Sequence, residues 1–203
     1  AYMTTASLPV RYEIQSLTGS APAQSNLTQI CSTVISEGGY DEPFRLFSNI
    51  YTLSRTMTAG TWYPTVSIRL DPSRLDAIAQ VKQVDIVMTS ADVLHWALWS
   101  NVTDSNLTGA SFVAHAQSQN VLVDRSATAM TTTGCVQVAA GLVAGTNQAA
   151  APAVLELSKY YSQLSRDSFT QSSRIYTLGV YSATGSGGSA ITAQILLSWN
   201  ELL

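Results

Sequence analysis

Charged side chains are scarce in this sequence. Only 11% of the 203 residues are Asp, Glu, Lys or Arg, against about 25% in an average soluble domain, and Lys occurs only at Lys82 and Lys159. Ser, Thr, Gln and Asn take the place of charge. Such a surface suits short exposed strands. It also suits contacts between copies of one subunit, because few charges then have to be desolvated.

Basic runs and long apolar runs are both missing. The net charge is −3 and the Arg residues are scattered, whereas a protein that binds duplex DNA or RNA needs clustered cations. No apolar stretch approaches the roughly 18–20 residues of a membrane-spanning helix. We therefore expect neither nucleic acid nor membrane as a partner. The chain begins at Ala1 without an initiator Met or a signal peptide, so we expect it to be the C-terminal part of a longer polypeptide.

Cysteine and histidine are too few and too dispersed for a metal site. The two Cys residues, Cys31 and Cys135, fit no ligand spacing, and the two His residues, His95 and His115, lie far from them in sequence. We expect buried free thiols, with a Cys31–Cys135 disulfide as the alternative in an oxidising compartment. No metal and no cofactor is predicted.

Alternation of apolar and polar residues with a period of two is the dominant pattern. The last run is the most regular, because Ile191, Ala193, Ile195, Leu197 and Trp199 alternate with mostly polar neighbours. The segment 93–99 is nearly all apolar, as in a strand buried on both faces. Further strands are expected at residues 8–14, 66–70, 84–88, 121–123, 135–143 and 175–181.

These strands recur about every 10–20 residues and are separated by turn residues. Such a rhythm is typical of an all-β antiparallel sandwich or jelly roll with little helix. The length fits one domain over residues 1–203. We interpret the glycines at 185–188 as a hairpin loop, since a strand rather than a helix follows them.

Two segments do not alternate cleanly. Residues 25–37 carry apolar side chains at helical spacing, but Thr33, Val34 and Ile35 are β-branched, and this favours strand over helix. Residues 154–164 fit a helical turn or a loop. The alanines at 149–153 predict an ordered connection.

No set of residues has the pattern of a catalytic site. His95 lies in an apolar strand and is expected to be a core or interface residue, and His115 is expected to be exposed. Glu37, Asp41 and Glu42 surround paired glycines, as charges in a solvated turn do. The aspartates at 71, 76 and 85 lack the spacing of a calcium loop. The chain is predicted to have no catalytic residues and not to be an enzyme; a polysaccharide depolymerase with two carboxylates in one cleft is the alternative.

Aromatic side chains allow a different function. Trp62, Trp96, Trp99 and Trp199, with Tyr63 and the pair Tyr160–Tyr161, would stack on sugar rings if they were exposed. Aromatics in alternating strands are more typical of a core or an oligomer interface. A glycan- or receptor-binding module is therefore the alternative function.

Two blocks near the N-terminus carry a family resemblance. Residues 2–14 (YMTTASLPVRYEI) and 27–40 (LTQICSTVISEGGY) resemble segments of β-rich structural proteins from tailed bacteriophages, especially marine ones. Residues 66–70 and 198–202 are similar to later strands of that group. The resemblance implies a virion component, such as a capsid decoration, head-fibre or tail-associated protein, and it transfers no catalytic residue. It implies homo-oligomers, for which we expect a trimer by analogy, and contacts with other virion proteins.

Overall fold

The computed structural model describes residues 44–74, 77–118, 120–145, 153–156, 163–167, 170 and 172–202. Of these, residues 44, 153–156 and 202 are described by their backbone only. The predictions for residues 8–14 and 25–37, for the blocks at 2–14 and 27–40, for 149–152 and for Tyr160–Tyr161 lie outside the described residues. The described residues fall in one compact unit, Glu42–Leu203. The prediction of a single domain over 1–203 stays a prediction.

Strands make up almost all regular structure of the described residues, and the only helical element among them is a 3₁₀ turn at Asp104–Asn106. The prediction of an all-β fold with little helix is thus confirmed. The strands are β1 (Phe44–Arg55), β2 (Tyr63–Leu70), β3 (Ile78–Met88), β4 (Val93–Val102), β5 (Leu107–Thr108), β6 (Val113–Ala114), β7 (Val121–Asp124), β8 (Ala129–Met130), β9 (Val136–Ala144), β10 (Ala153–Glu156), β11 (Ile175–Tyr181) and β12 (Ile191–Leu202).

Two antiparallel sheets form the sandwich. The four-stranded sheet has the order β1-β12-β3-β10, and the six-stranded sheet has the order β6-β7-β2-β11-β4-β9. Four pairs relate the first arm of the chain to the last, namely β1 with β12, β2 with β11, β3 with β10 and β4 with β9. A long hairpin rolled into two sheets in this way is a jelly roll. The short pair β5-β8 is inserted between β4 and β9.

The main core lies between the two sheets and follows the alternation of the sequence. Ile191, Ala193, Ile195, Leu197 and Trp199 of β12 all point inward and are fully buried. Alternate residues of β3 lie beside them in the same sheet, and alternate residues of β2 face them from the other sheet. Because side chains alternate between the two faces of a strand, a shift by one residue would expose this whole set, and this fixes the register.

A second, smaller core covers part of the outer face of the six-stranded sheet. It contains Val102, Leu107, Ala127, Met130 and Ile175. The middle strands of this sheet are therefore buried on both faces, and their polar side chains bond internally. Ser67 Oγ lies 2.9 Å from Thr177 Oγ1 on the neighbouring strand, and Thr65 donates to a backbone carbonyl. This explains why hydroxyl-bearing positions in β2 are buried.

Two loop assignments from the sequence are wrong. Residues 153–156 form β10, although we expected a helical turn or loop over 154–164, because they pair with β3 at the edge of the four-stranded sheet. The glycines at 185–188 form no hairpin loop, since β11 and β12 belong to different sheets. The connection from β11 to β12 is held by a hydrogen bond from the Ser186 N–H to Met57 O at 3.0 Å, and Gly185 in it adopts a φ of 74°.

Candidate functional site

Large apolar side chains are exposed on both sheets. On the four-stranded sheet they are Leu46 (67% exposed), Ile50, Ile78 and Val87; on the six-stranded sheet they are Val93, Val113, Val136 and Leu142. Single exposed apolar residues are ordinary, but groups of them on neighbouring strands indicate contact surfaces.

The first group lies on the outer face of the four-stranded sheet. Ile50 is opposite Leu196 of β12, which is in turn opposite Asp85 of β3. Val87 follows Asp85 on the same face. A shallow groove of ≈ 310 Å³ runs across these three strands and is mainly apolar. We call Leu46, Ile50, Val87 and Leu196 the four-strand surface.

The second group lies where β4 and β9 pair at the edge of the six-stranded sheet. We call Val93, His95, Ala140 and Leu142, which share the outer face, the β4–β9 surface. Neither strand contains an Asp, Glu, Lys or Arg residue. Leu142 is 60% exposed and pairs with His95, which in turn pairs with Tyr181 of β11. The rings of His95 and Tyr181 stack with centroids 4.4 Å apart and an interplanar angle of 20°. A row of Leu142, His95 and Tyr181, without any Asp, Glu, Lys or Arg, thus crosses three strands.

The exposure of this surface corrects one expectation, for residues 93–99, and shows that the strand predicted at 135–143 is present but mostly exposed. The segment 93–99 was expected to be buried on both faces, but Val93 is 52% exposed because the smaller core covers only the middle of the sheet. Strand β9 was expected from its alternation, yet Val143 is the only residue of it that is buried. The signal of an exposed strand was present in the sequence as the absence of charge, but a fully buried strand has the same composition.

The four tryptophans divide into two pairs. Trp96 and Trp199 are buried in the main core. Trp62 and Trp99 are half-buried against the smaller core, where their rings meet edge to face with centroids 5.3 Å apart. Trp62 also contacts Tyr181 edge to face at 4.5 Å. The alternative of a sugar-binding site therefore has a half-buried aromatic cluster available, formed by Trp62, Trp99 and Tyr181.

The histidines occupy unlike positions. His95 is half-buried on the β4–β9 surface, in agreement with a core or interface role. His115 was expected to be exposed, but it is half-buried because its ring meets that of Trp199 at 5.2 Å and that of Phe47 at 6.1 Å.

Carboxylates of the described chain are engaged in structural contacts. A pocket of ≈ 250 Å³ is lined by Asp104 and Asp167, and each forms an ion pair, with Arg69 at 3.0 Å and Arg174 at 3.4 Å respectively. Asp71 accepts hydrogen bonds from the N–H and the hydroxyl of Ser73, and these bonds lower its pKa. That geometry places Asp71 at the start of a turn.

The buried carboxylates anchor loops. Asp124 accepts bonds from the backbone N–H groups of Ser111, Ser126 and Ala127. Glu201 accepts bonds from the Ser118 hydroxyl and from Trp199 Nε1, the latter at 2.8 Å. The carboxylates Glu37, Asp41, Glu42 and Asp76 lie outside the described residues. The carboxylate of Asp85 accepts a hydrogen bond from Gln83 Nε2, and the described residues around it do not form a calcium-binding loop.

Within the described ranges no group of three or more His, Cys, Asp or Glu residues has the arrangement of a metal site. Cys135 has a free thiol and is half-buried, and its burial raises the pKa of that thiol. Cys31 lies outside the described residues. No helix among the residues described is long and apolar enough to cross a membrane.

Comparison with known proteins gives little more. No protein-family model matches the chain, and no curated protein matches it. A solved chain of Desmodium yellow mottle tymovirus is similar at 14% identity over 84% of this chain and 94% of that chain, with a TM-score of 0.30. At that TM-score the likeness supports no conclusion about function. The strand order by itself defines the fold.

Proposed function

We propose that this chain is a non-catalytic structural subunit of a phage particle, on the capsid surface, a fibre or the tail. The observation that carries the proposal is that a jelly roll exposes apolar surfaces on both of its sheets. A subunit of an extended assembly has to contact neighbours through more than one surface, whereas an isolated domain gains nothing from exposed Leu46 and Leu142.

The fold supports this function by analogy. Viral capsid proteins are among the proteins that use jelly rolls, although a fold alone does not define a function. The assignment to tailed phages depends on the resemblance of residues 2–14 and 27–40 to that group. The trimer is the finer expectation, and only the same analogy supports it.

The test is to locate the chain in an intact particle. Density for the jelly roll at symmetric positions of a purified virion would support the proposal, and the symmetry would give the oligomeric state. If mass spectrometry of purified particles lacks the chain while infected cells contain it, the structural role is wrong.

Glycan binding remains the second candidate, and the half-buried cluster of Trp62, Trp99 and Tyr181 is the observation in its favour. Jelly rolls also occur in lectins. The test is a glycan array with the whole chain. The variant Tyr181→Ala should lose binding, whereas Tyr51→Ala, on the other sheet, should retain it. An array without hits would refute this function.

A further inference from the structure

We propose that strand β9 is the site at which a second copy of this chain adds to the six-stranded sheet, in antiparallel orientation about a two-fold axis. The inference rests on the proposed function, since it names one of the contacts that a structural subunit would make.

The outer edge of strand β9 is open among the described strands. Strand β9 is the last strand of the six-stranded sheet, and none of the described strands pairs with its second side. It has nine residues, which extend over about 30 Å. Natural proteins protect such an edge with Lys, Pro or very short strands. Strand β9 has no charge and no Pro, and its bulge opposite Leu98 and Trp99 lies in its first half, so the six residues Ala139–Ala144 keep a regular register. An edge without such protection is a template for another strand.

The outer face beside that edge is apolar. Leu142 and Val93 are each more than half exposed on this face, and both lie on strands without any Asp, Glu, Lys or Arg residue. Interface centres have this composition, with charge depleted and aromatics such as Tyr181 nearby. A partner that adds a strand here therefore has to supply an apolar, uncharged strand of its own.

The partner that fits this edge is a second copy of the chain. This chain itself presents the required strand, because β9 of a second copy offers an open edge and an uncharged row. In antiparallel pairing with itself, β9 brings no like charges opposite each other in any register, and cross-strand like charges are what would otherwise oppose self-pairing. Two-fold symmetry makes such a contact closed and limits it to two copies. Strand β1, the open edge of the other sheet, carries Arg45 and Arg55 near its two ends instead.

The first test compares two variants by sedimentation over a concentration series. Leu142→Lys should weaken formation of the dimer by about tenfold or more, because a desolvated cation would lie in the contact. Leu46→Lys is the matched control, since Leu46 is 67% exposed on the open edge strand of the other sheet; it should leave the dimer unchanged. Both side chains are exposed, so circular dichroism and melting should show folded proteins.

The second test is crosslinking in a background with Cys31→Ser and Cys135→Ser. The proposed two-fold axis passes through the centre of β9, where Ala140 of one copy lies opposite Ala140 of the other, so Ala140→Cys should form a disulfide-linked dimer under mild oxidation. The control Ser48→Cys, on exposed β1, should not. A failure of Ala140→Cys to crosslink, or equal weakening of the dimer by both lysine variants, would overturn the inference. These results leave the proposed function standing, since that is tested by the presence of the chain in the particle.

Discussion

Among single residues, Gly141 shows how closely neighbouring strands of the six-stranded sheet fit. It lies opposite Trp96 on the neighbouring strand, and a methyl group at Gly141 would come within 2.8 Å of Cε2, Cζ2 and Nε1 of that indole. The indole therefore occupies the space where another residue would have its Cβ. Sequence alone indicates only that a glycine interrupts a strand, not which side chain fills the gap.

Gly141→Ala should lower the free energy of unfolding by about 1–3 kcal/mol, the usual cost of overpacking a core. The measurement is urea denaturation. Trp96→Phe removes Cζ2 and replaces the indole by a smaller ring, which reduces the clash, so the double variant should lose less stability than the sum of the two single variants. Strict additivity would show that the close approach is relieved in some other way.

Cys135 provides a prediction on pH. Burial raises the pKa of its thiol, so the folded state favours the neutral form. The associated stability is present below the ordinary pKa of a thiol and is lost as the pH rises from that value through the raised pKa of the folded state. In a Cys31→Ser variant, the pH at which iodoacetamide reacts at half its maximal rate should be higher in the native protein than in urea. Equal midpoints would contradict this.

At the scale of elements, the clearest strands were predictable because apolar residues recur at every second position, on the face that meets the main core. Strands β2, β3, β11 and β12 alternate as the sandwich requires. Strand β1 was not foreseen, since apolar residues lie on both of its faces: Phe47 and Leu53 point inward, whereas Leu46 and Ile50 point outward. Strand β10 was missed because pairing with β3 defines it, and no local pattern does.

Glu201 connects two elements that are distant in sequence. Its carboxylate at the end of β12 accepts a hydrogen bond from Ser118, and the Ser118 hydroxyl oxygen in turn accepts the N–H of Val121 at the start of β7, at 3.0 Å. Glu201 lies on the inward face with Trp199, as a period of two requires. That period contains no information on which loop supplies its hydrogen-bond partner.

Glu201→Ala should lower the free energy of unfolding by about 2–4 kcal/mol, because it leaves the Ser118 hydroxyl and the indole N–H of Trp199 buried without their acceptor. Glu201→Gln keeps a carbonyl oxygen and should lose less than half as much. Urea denaturation of both variants measures the difference. Equal losses would mean that charge, rather than hydrogen bonding, determines the contribution of this residue.

At the scale of the whole molecule, the fold class was predictable and the surfaces were not. The rhythm of strands and turns is enough for a sandwich or jelly roll, and the strand order confirms it. An exposed apolar strand and a buried one look alike in sequence, so the β4–β9 surface emerges only when the packing is known. The composition does reveal one property of the surface, namely that it carries few charged side chains.

That weak charge leads to a prediction about association. If copies associate through strands without charged residues, the dissociation constant should change less than about threefold between low and high salt, because few charges are available for screening. Sedimentation at several NaCl concentrations measures this. A steep loss of association with salt would indicate that ion pairs, and not the β4–β9 surface, hold the copies together.

The pairing of β1 with β12 has a consequence for the order of events during protein synthesis. The second strand of the four-stranded sheet is the last one to leave the ribosome, and β1 and β3 lie on either side of it. Until it arrives, β1 has no neighbour among the described strands of its sheet, and β3 has only the short strand β10. Contacts this distant in sequence close slowly. The inward apolar residues of β1 and β3 therefore stay only partly covered until β12 has been synthesised, and apolar surface exposed in this way favours aggregation of the nascent chain.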